Sequence, residues 1–280
     1  MLLRFFILAI AVCTPEPMTR ADAGTARPAP PPDPLLPLRE ASASGDPAEI
    51  ERAALRLPAA MLASALDAPG RAVRYAAIAA AARSPSSFDL LERIVDRLGT
   101  ADRETASRAA AAALEVTRTV DERAFAAAEI DRADLGRIAR SACRIASDSR
   151  LAPDVRAAAA TIAARLQIVA PIGASPLLPA LSDDDPTVRH AVLEALRAWG
   201  PRLGRHRAAI EAIVRDAADP RSSLLAAAAL CAAGPLDDAV AERARDLLPR
   251  GRWSDRALLA PCLGSDEPRS PPARRAKKRP

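Results

Sequence analysis

The sequence predicts an all-α fold, an α-solenoid of stacked helix pairs, on three observations. Apolar residues recur at offsets 0, +3, +4, +7, +8 and +11, the stripe of one helix face, and most of the stripes restart after 33 or 34 residues. Half of the residues are hydrophobic while only 2% are aromatic. A core of Ala and Leu buries little area per side chain, so it needs many close helix contacts instead of a few large anchors. That favours layered helices over a β-rich fold.

The first segment, residues 1–23, reads "MLLRFFILAIAVCTPEPMTRADA". A positive charge at Arg4, the apolar run from Phe5 to Val12 and the small residues Ala21 and Ala23 around Asp22 match a secretory signal peptide cleaved before Gly24. The predicted localisation is export to the periplasm or medium. A lipoprotein signal using Cys13, or an N-terminal anchor, is the alternative, although the run is short of the ~20 residues a span requires. Residues 24–45 form a Pro-rich linker, with proline at 28, 30, 31, 32, 34 and 37 predicting an extended spacer. Residues 46–264 are the predicted solenoid, and 265–280 a basic, disordered tail.

Within the solenoid the stretch "SDDDPTVRHAVLEALRAWG" states the unit. Asp185 and Pro186 start a helix, the carboxylate capping free N–H groups and the proline taking the first turn, and Gly200 stops it. The stripe is Val188, Ala191, Val192, Ala195, Leu196 and Trp199. Equivalent stripes begin at Val73, Ala106, Val155 and Ser222, with separations of 33, 49, 33 and 34 residues, the long one containing an insertion. Each is preceded by another apolar segment: 58–66, 88–98, 134–146, 175–181 and 206–217. Helix pairs at this period are the mark of an α-solenoid.

The repeated "DDDPTVRHAVLEAL", with "DAPGRAVRYAAIAAAA" and "LAPDVRAAAATIAARL", resembles HEAT repeats of the bacterial, phycobiliprotein-lyase-like type. The resemblance spans about residues 46 to 264 and implies a HEAT/armadillo-like superhelix. It also implies a polar ladder of turn acids and helix arginines: Asp67 with Arg74, Asp154 or Asp148 with Arg156, and Asp183 or Asp185 with Arg189. Where Ser223 replaces the arginine the ladder is expected to weaken.

Function is less legible. No G-x-S-x-G, P-loop, HExxH or Gly-rich fingerprint occurs, so no catalytic residue, cofactor or metal is predicted. His190 and His206 read as isolated surface residues and "SDDDP" as capping. Three cysteines follow residue 23; Cys231 and Cys262 sit near the ends of neighbouring units and could approach, but packed helix axes ~8–10 Å apart against the ~7 Å Cα limit of a disulfide favour buried structural cysteines at Cys143, Cys231 and Cys262. The chain carries 40 basic and 35 acidic residues; without Arg269, Arg274, Arg275, Lys277, Lys278 and Arg279 the remainder has 34 against 35. A near-neutral body argues against nucleic-acid binding, while the tail suits weak contact with anionic surfaces.

The predicted function is therefore a non-enzymatic extracytoplasmic scaffold binding a protein or peptide through its concave surface. A lyase-like accessory protein acting on a bound partner, or a nucleic-acid binder, is the alternative. Positions opposite the core stripe supply the candidate partner-binding residues Tyr75, Ile78, Arg108, His190, Leu193, Arg197 and Leu224. With the neighbouring small residues they predict a shallow apolar groove for an amphipathic helix or extended peptide.

Overall fold

The computed structural model describes residues 33, 35–118 and 131–263. The predicted signal peptide, residues 24–32 and 34 of the Pro-rich linker, the insertion and the basic tail lie outside them. The chain divides into two units, Met1–Asp33 and Pro34–Pro280, and every helix below belongs to the second. In order they are α1 (Leu36–Ser44), α2 (Pro47–Leu55), α3 (Ala59–Ala65), α4 (Arg71–Arg83), α5 (Leu91–Leu98), α6 (Arg103–Arg118), α7 (Arg132–Ala146), α8 (Pro153–Gln167), α9 (Pro186–Leu196), α10 (Arg207–Asp216), α11 (Pro220–Ala233), α12 (Asp238–Leu247) and α13 (Trp253–Leu263). Three 3-10 segments, Ser175–Ser182, Arg197–His206 and Leu248–Arg250, intervene. The described residues are all-helical, without a strand.

Helix starts follow the local chemistry. Asp46, Asp131, Asp185 and Asp219 each accept a backbone N–H of the first turn, and three of them precede a proline at the first helical position. Ser175–Ser182 contains Pro176 and Pro179, which remove backbone donors, so the expected helix tightens into 3-10 turns. The stripe beginning at Val188 does not run as one α-helix to Gly200: α9 ends at Leu196. The chain then continues as 3-10 turns through Gly200, whose φ of 48° only glycine adopts readily. Trp199 is still buried there, its indole N–H donating to Ile172 O at 2.8 Å.

Packing follows the stripes. Helix α4 contacts α6, α6 contacts α8, α8 contacts α9, α9 contacts α11, and α11 contacts α13. The first four of these contacts join a stripe-bearing helix to the next one along the chain, and the fifth adds α13, which carries no stripe. The preceding segments attach to them, α3 to α4, α5 to α6, α7 to α8, Ser175–Ser182 to α9 and α10 to α11. Stripe residues Val73, Ala77, Ala109, Ala113, Val155, Ile162, Val188, Val192, Leu225 and Ala229 are buried in one hydrophobic cluster.

Two expectations are corrected. The Pro-rich stretch does not stay extended to residue 45: α1 begins at Leu36, with Pro37 tolerated in its first turn, and Leu38 is fully buried. Cys231 and Cys262 form a disulfide with Cα atoms 5.9 Å apart. Both lie in the last turn of their helices, where chain ends approach more closely than the axes of packed helix centres. Among the described residues Cys143 is the free thiol, buried, and desolvation pushes its pKa up to about 12, so it stays protonated and unreactive.

Candidate interaction surfaces

The polar groups at the helix starts are spent on one another, chiefly between consecutive units instead of within them. Arg156, on the first turn of α8, pairs with Asp183 before α9, each side chain only 7% exposed. Arg74 on α4 reaches Asp102 before α6 at 3.4 Å, and its other terminal nitrogen donates to Ala68 O and Pro69 O. Ser107 on α6 donates to Asp154 on α8 at 2.9 Å. The expected partners differ accordingly. Asp67 pairs with Arg93 and Arg97 of α5, not Arg74. Arg189 donates to the carbonyls of Asp183 and Asp184, while Asp185 caps Thr187 N. Asp102 and Asp183 lie closer to the arginine of the preceding unit than to their own, because the stripe-bearing helices pack side by side at their starts, whereas Asp67 turns to the following unit.

His190 is not an isolated surface residue. Its side chain is 16% exposed and its Nε2 lies 2.5 Å from Asp219 Oδ2. It takes the ladder position one residue beyond Arg189, and Arg221 pairs with Glu194 beside it, so α9 and α11 are linked, while the Ser223 hydroxyl donates to Ile213 O. Burial works to raise the Asp219 carboxyl. Hydrogen bonds from His190, the Ser222 hydroxyl and Arg221 N outweigh it and hold the group at about 2. Ser222, Asp219 and His190 do not form a nucleophilic triad: Ser222 donates to the carboxylate, not to the imidazole, and is 2% exposed. His206 sits 3.3 Å from Ser175 Oγ. Among the described residues no three His, Cys, Asp or Glu side chains share a point where a metal could be held.

The predicted groove is divided by the structure. Ile78, Leu193 and Leu224 are each 1% exposed and belong to the core. The reason is covering from sides the stripe did not reveal. Helices α1 and α2 pack onto α4 together with α3 and α6. Helix α11 is apolar nearly all round and is enclosed by α9, α10, α12, α13 and the Arg197–His206 turns. Gly251 lies so close to Leu224 that an added Cβ would stand 2.6 Å from its Cδ1. Arg197 is half-buried at the end of α9.

Tyr75 and Arg108 are brought together. The Arg108 guanidinium lies 4.4 Å from the centre of the Tyr75 ring, a cation–π contact between α4 and α6. They border a cleft of about 270 Å³ floored by Ile50, Ala72, Ala76 and Ala79. A second cleft, about 430 Å³, lies beside Leu193, with Leu181 and Ile213 as apolar walls and Arg189 and Asp216 at its edges. Sequence periodicity could not show the role of α2 in the first cleft, because its short pattern lies outside the repeated unit.

Compared with protein-family models, curated proteins and solved structures, the chain matches none. Among the described residues no helix is long and apolar enough to cross a membrane.

Proposed function

We propose that the chain is an exported, non-enzymatic scaffold, a HEAT/armadillo-like solenoid of stacked helix pairs that binds a protein or peptide on its second-helix face. The nearest-neighbour order of helix contacts and the ion pairs between consecutive units support the solenoid. The Cys231–Cys262 disulfide supports an oxidising compartment and hence export, for which the N-terminal signal pattern is the proposed route. The observation that carries binding is the Tyr75–Arg108 cleft. An aromatic ring and a guanidinium, the side chains most often found at binding hot spots, stand partly exposed over a floor of small apolar residues.

A photo-crosslinking amino acid at Ala79, exposed in that cleft, tests the reading in the native periplasm or culture medium. A discrete adduct that disappears on introducing Tyr75→Asp and Arg108→Glu is expected. The absence of any adduct, or one indifferent to both substitutions, counts against it. Mass spectrometry of the mature protein should find Gly24 first, and an intact Met1 would contradict export by cleavage.

A further inference from the structure

A different cleft, about 480 Å³, opens between α5, α7 and the start of the Ser175–Ser182 turns. Val95, Ile138 and Pro176 give it an apolar floor. Its wall is a row of arginines at positions i, i+3 and i+7 of α7: Arg137, Arg140 and Arg144. Arg137 is engaged by Asp134 and, at 3.5 Å, by Glu92. Arg140 and Arg144 make no ion pair among the described residues, and both are exposed.

Asp96 is the remaining acid of the cleft, and burial, followed by repulsion from Glu92, pushes its carboxyl above the usual range against the attraction of Arg97, Arg93 and Arg144. Beyond the cleft, Arg140 and Arg205 have neighbours around Ile172 and Gly173. A Cβ built on Gly136 would meet Arg140 Nη1 at 3.5 Å and Ile172 Cγ2 at 3.8 Å, and one on Gly173 would meet Arg205 Nη2 at 3.0 Å. Arg205 also donates to Ser175 Oγ and His206 Nε2 and stays outside the lining of the cleft. The exposed face of α7 carries Arg132, Arg137, Arg140 and Arg144 with Asp134 as its only acid.

We propose that this cleft docks an extended acidic peptide segment, two of whose carboxylates, spaced two residues apart, engage Arg140 and Arg144. The two arginines are one helical turn apart, ~6 Å along the axis. Alternate residues of an extended chain repeat on one face at ~6.6 Å, so successive carboxylates meet successive guanidiniums without bending the peptide. The apolar floor receives the methylenes of glutamate stems, which favours Glu over Asp. The partner's charge follows from the surplus of unpaired guanidiniums, and its shape from their spacing. The inference goes beyond the scaffold reading and concerns separate residues.

The test is fluorescence anisotropy on the full chain with a labelled Glu-Ala-Glu-Ala-Glu-Ala peptide at ~20 mM salt, where screening is weak. Wild-type protein is expected to bind it, with binding about tenfold weaker in the R140Q/R144Q protein and in ~200 mM salt. The basic tail is common to both proteins, so the difference between them reports the cleft alone. Unchanged helical circular dichroism and melting establish that the variant is folded, and R202Q should bind as wild type. Equal affinity for wild type and R140Q/R144Q, or equal binding of Lys-Ala-Lys-Ala-Lys-Ala, overturns the proposal. Tighter binding of an Ala-rich helix with Glu every fourth residue overturns the extended geometry. Loss in the variant of phosphatidylglycerol-vesicle binding, with no peptide binding by wild type, would replace the peptide by a membrane surface. If the Ala79 adduct forms while the acidic peptide fails, the scaffold reading stands and this inference does not.

Discussion

Replacing Arg156 by alanine probes the most buried ion pair between consecutive units among the described residues. Arg156 and Asp183 join α8 to the turn before α9, with 7% of each side chain exposed. Truncation leaves the Asp183 carboxylate buried, with Asp185 N donating to its other oxygen. Removing one partner of a buried pair costs about 3–5 kcal/mol, far more than losing an exposed pair. At about 2–4 °C per kcal/mol for a domain of this size, Arg156→Ala should lower Tm by ~6–20 °C. The exposed pair Arg108–Glu104, 51% and 56% accessible, sets the comparison: Glu104→Ala should cost under about 1 kcal/mol. Replacing both buried partners, Arg156→Met with Asp183→Leu, should recover much of the loss, because no lone charge remains. Thermal melts and urea titrations of Arg156→Met, Asp183→Leu and the double complete a mutant cycle. An Arg156→Ala cost below about 1 kcal/mol, or a double variant no better than the single, would refute the assignment of this pair as a desolvated link.

Leu193→Asp and Leu224→Asp, each placing a charge at a residue 1% exposed, should abolish the cooperative melt, while Tyr75→Asp preserves it; three similar melts would return Leu193 and Leu224 to the surface. Opening the Cys231–Cys262 bridge, which spans 31 residues of sequence, should cost about 3–4 kcal/mol by loop-closure entropy, read as a lower Tm in dithiothreitol or in the C231S/C262S protein. Asp219 is held at about 2, below its unfolded value, so its contribution is complete above about pH 4 and lost as pH falls toward 2. The acid limb of Tm against pH should therefore be shallower in Asp219→Asn than in wild type, and parallel curves would contradict the hydrogen-bond cluster.

Helix positions and the core stripe were legible because both depend on local rules. Caps such as Asp185-Pro186 and Asp219-Pro220 act on adjacent residues, and an offset of 3 or 4 places side chains on one face wherever the helix packs. What failed depends on contacts between segments far apart in sequence. Leu224 read as surface because its helix was given one buried side, whereas "SSLLAAAALCAA" is apolar all round, a pattern of full enclosure. Arg74 and Arg156 were assigned to acids of their own turns, since sequence distance favours these, while the packing of consecutive helices brings Asp102 and Asp183 nearer. The Cys231–Cys262 bridge was missed because a spacing rule for helix axes does not govern helix ends. Of the candidate groove, Tyr75 and Arg108 remain as a paired feature, joined by α2, which carries no repeat signature.

Hydrogen exchange followed by mass spectrometry, on wild type and Arg156→Ala, tests most directly the claim that this is a scaffold of units stabilised by their neighbours. In a solenoid each pair contacts only the adjacent pairs, so losing one link should accelerate exchange first in the helices it joins. The account predicts faster exchange in α8 and α9, with α4 retaining its wild-type protection. Equal acceleration from α4 through α11 would show a single cooperative core and contradict the stacked-pair architecture.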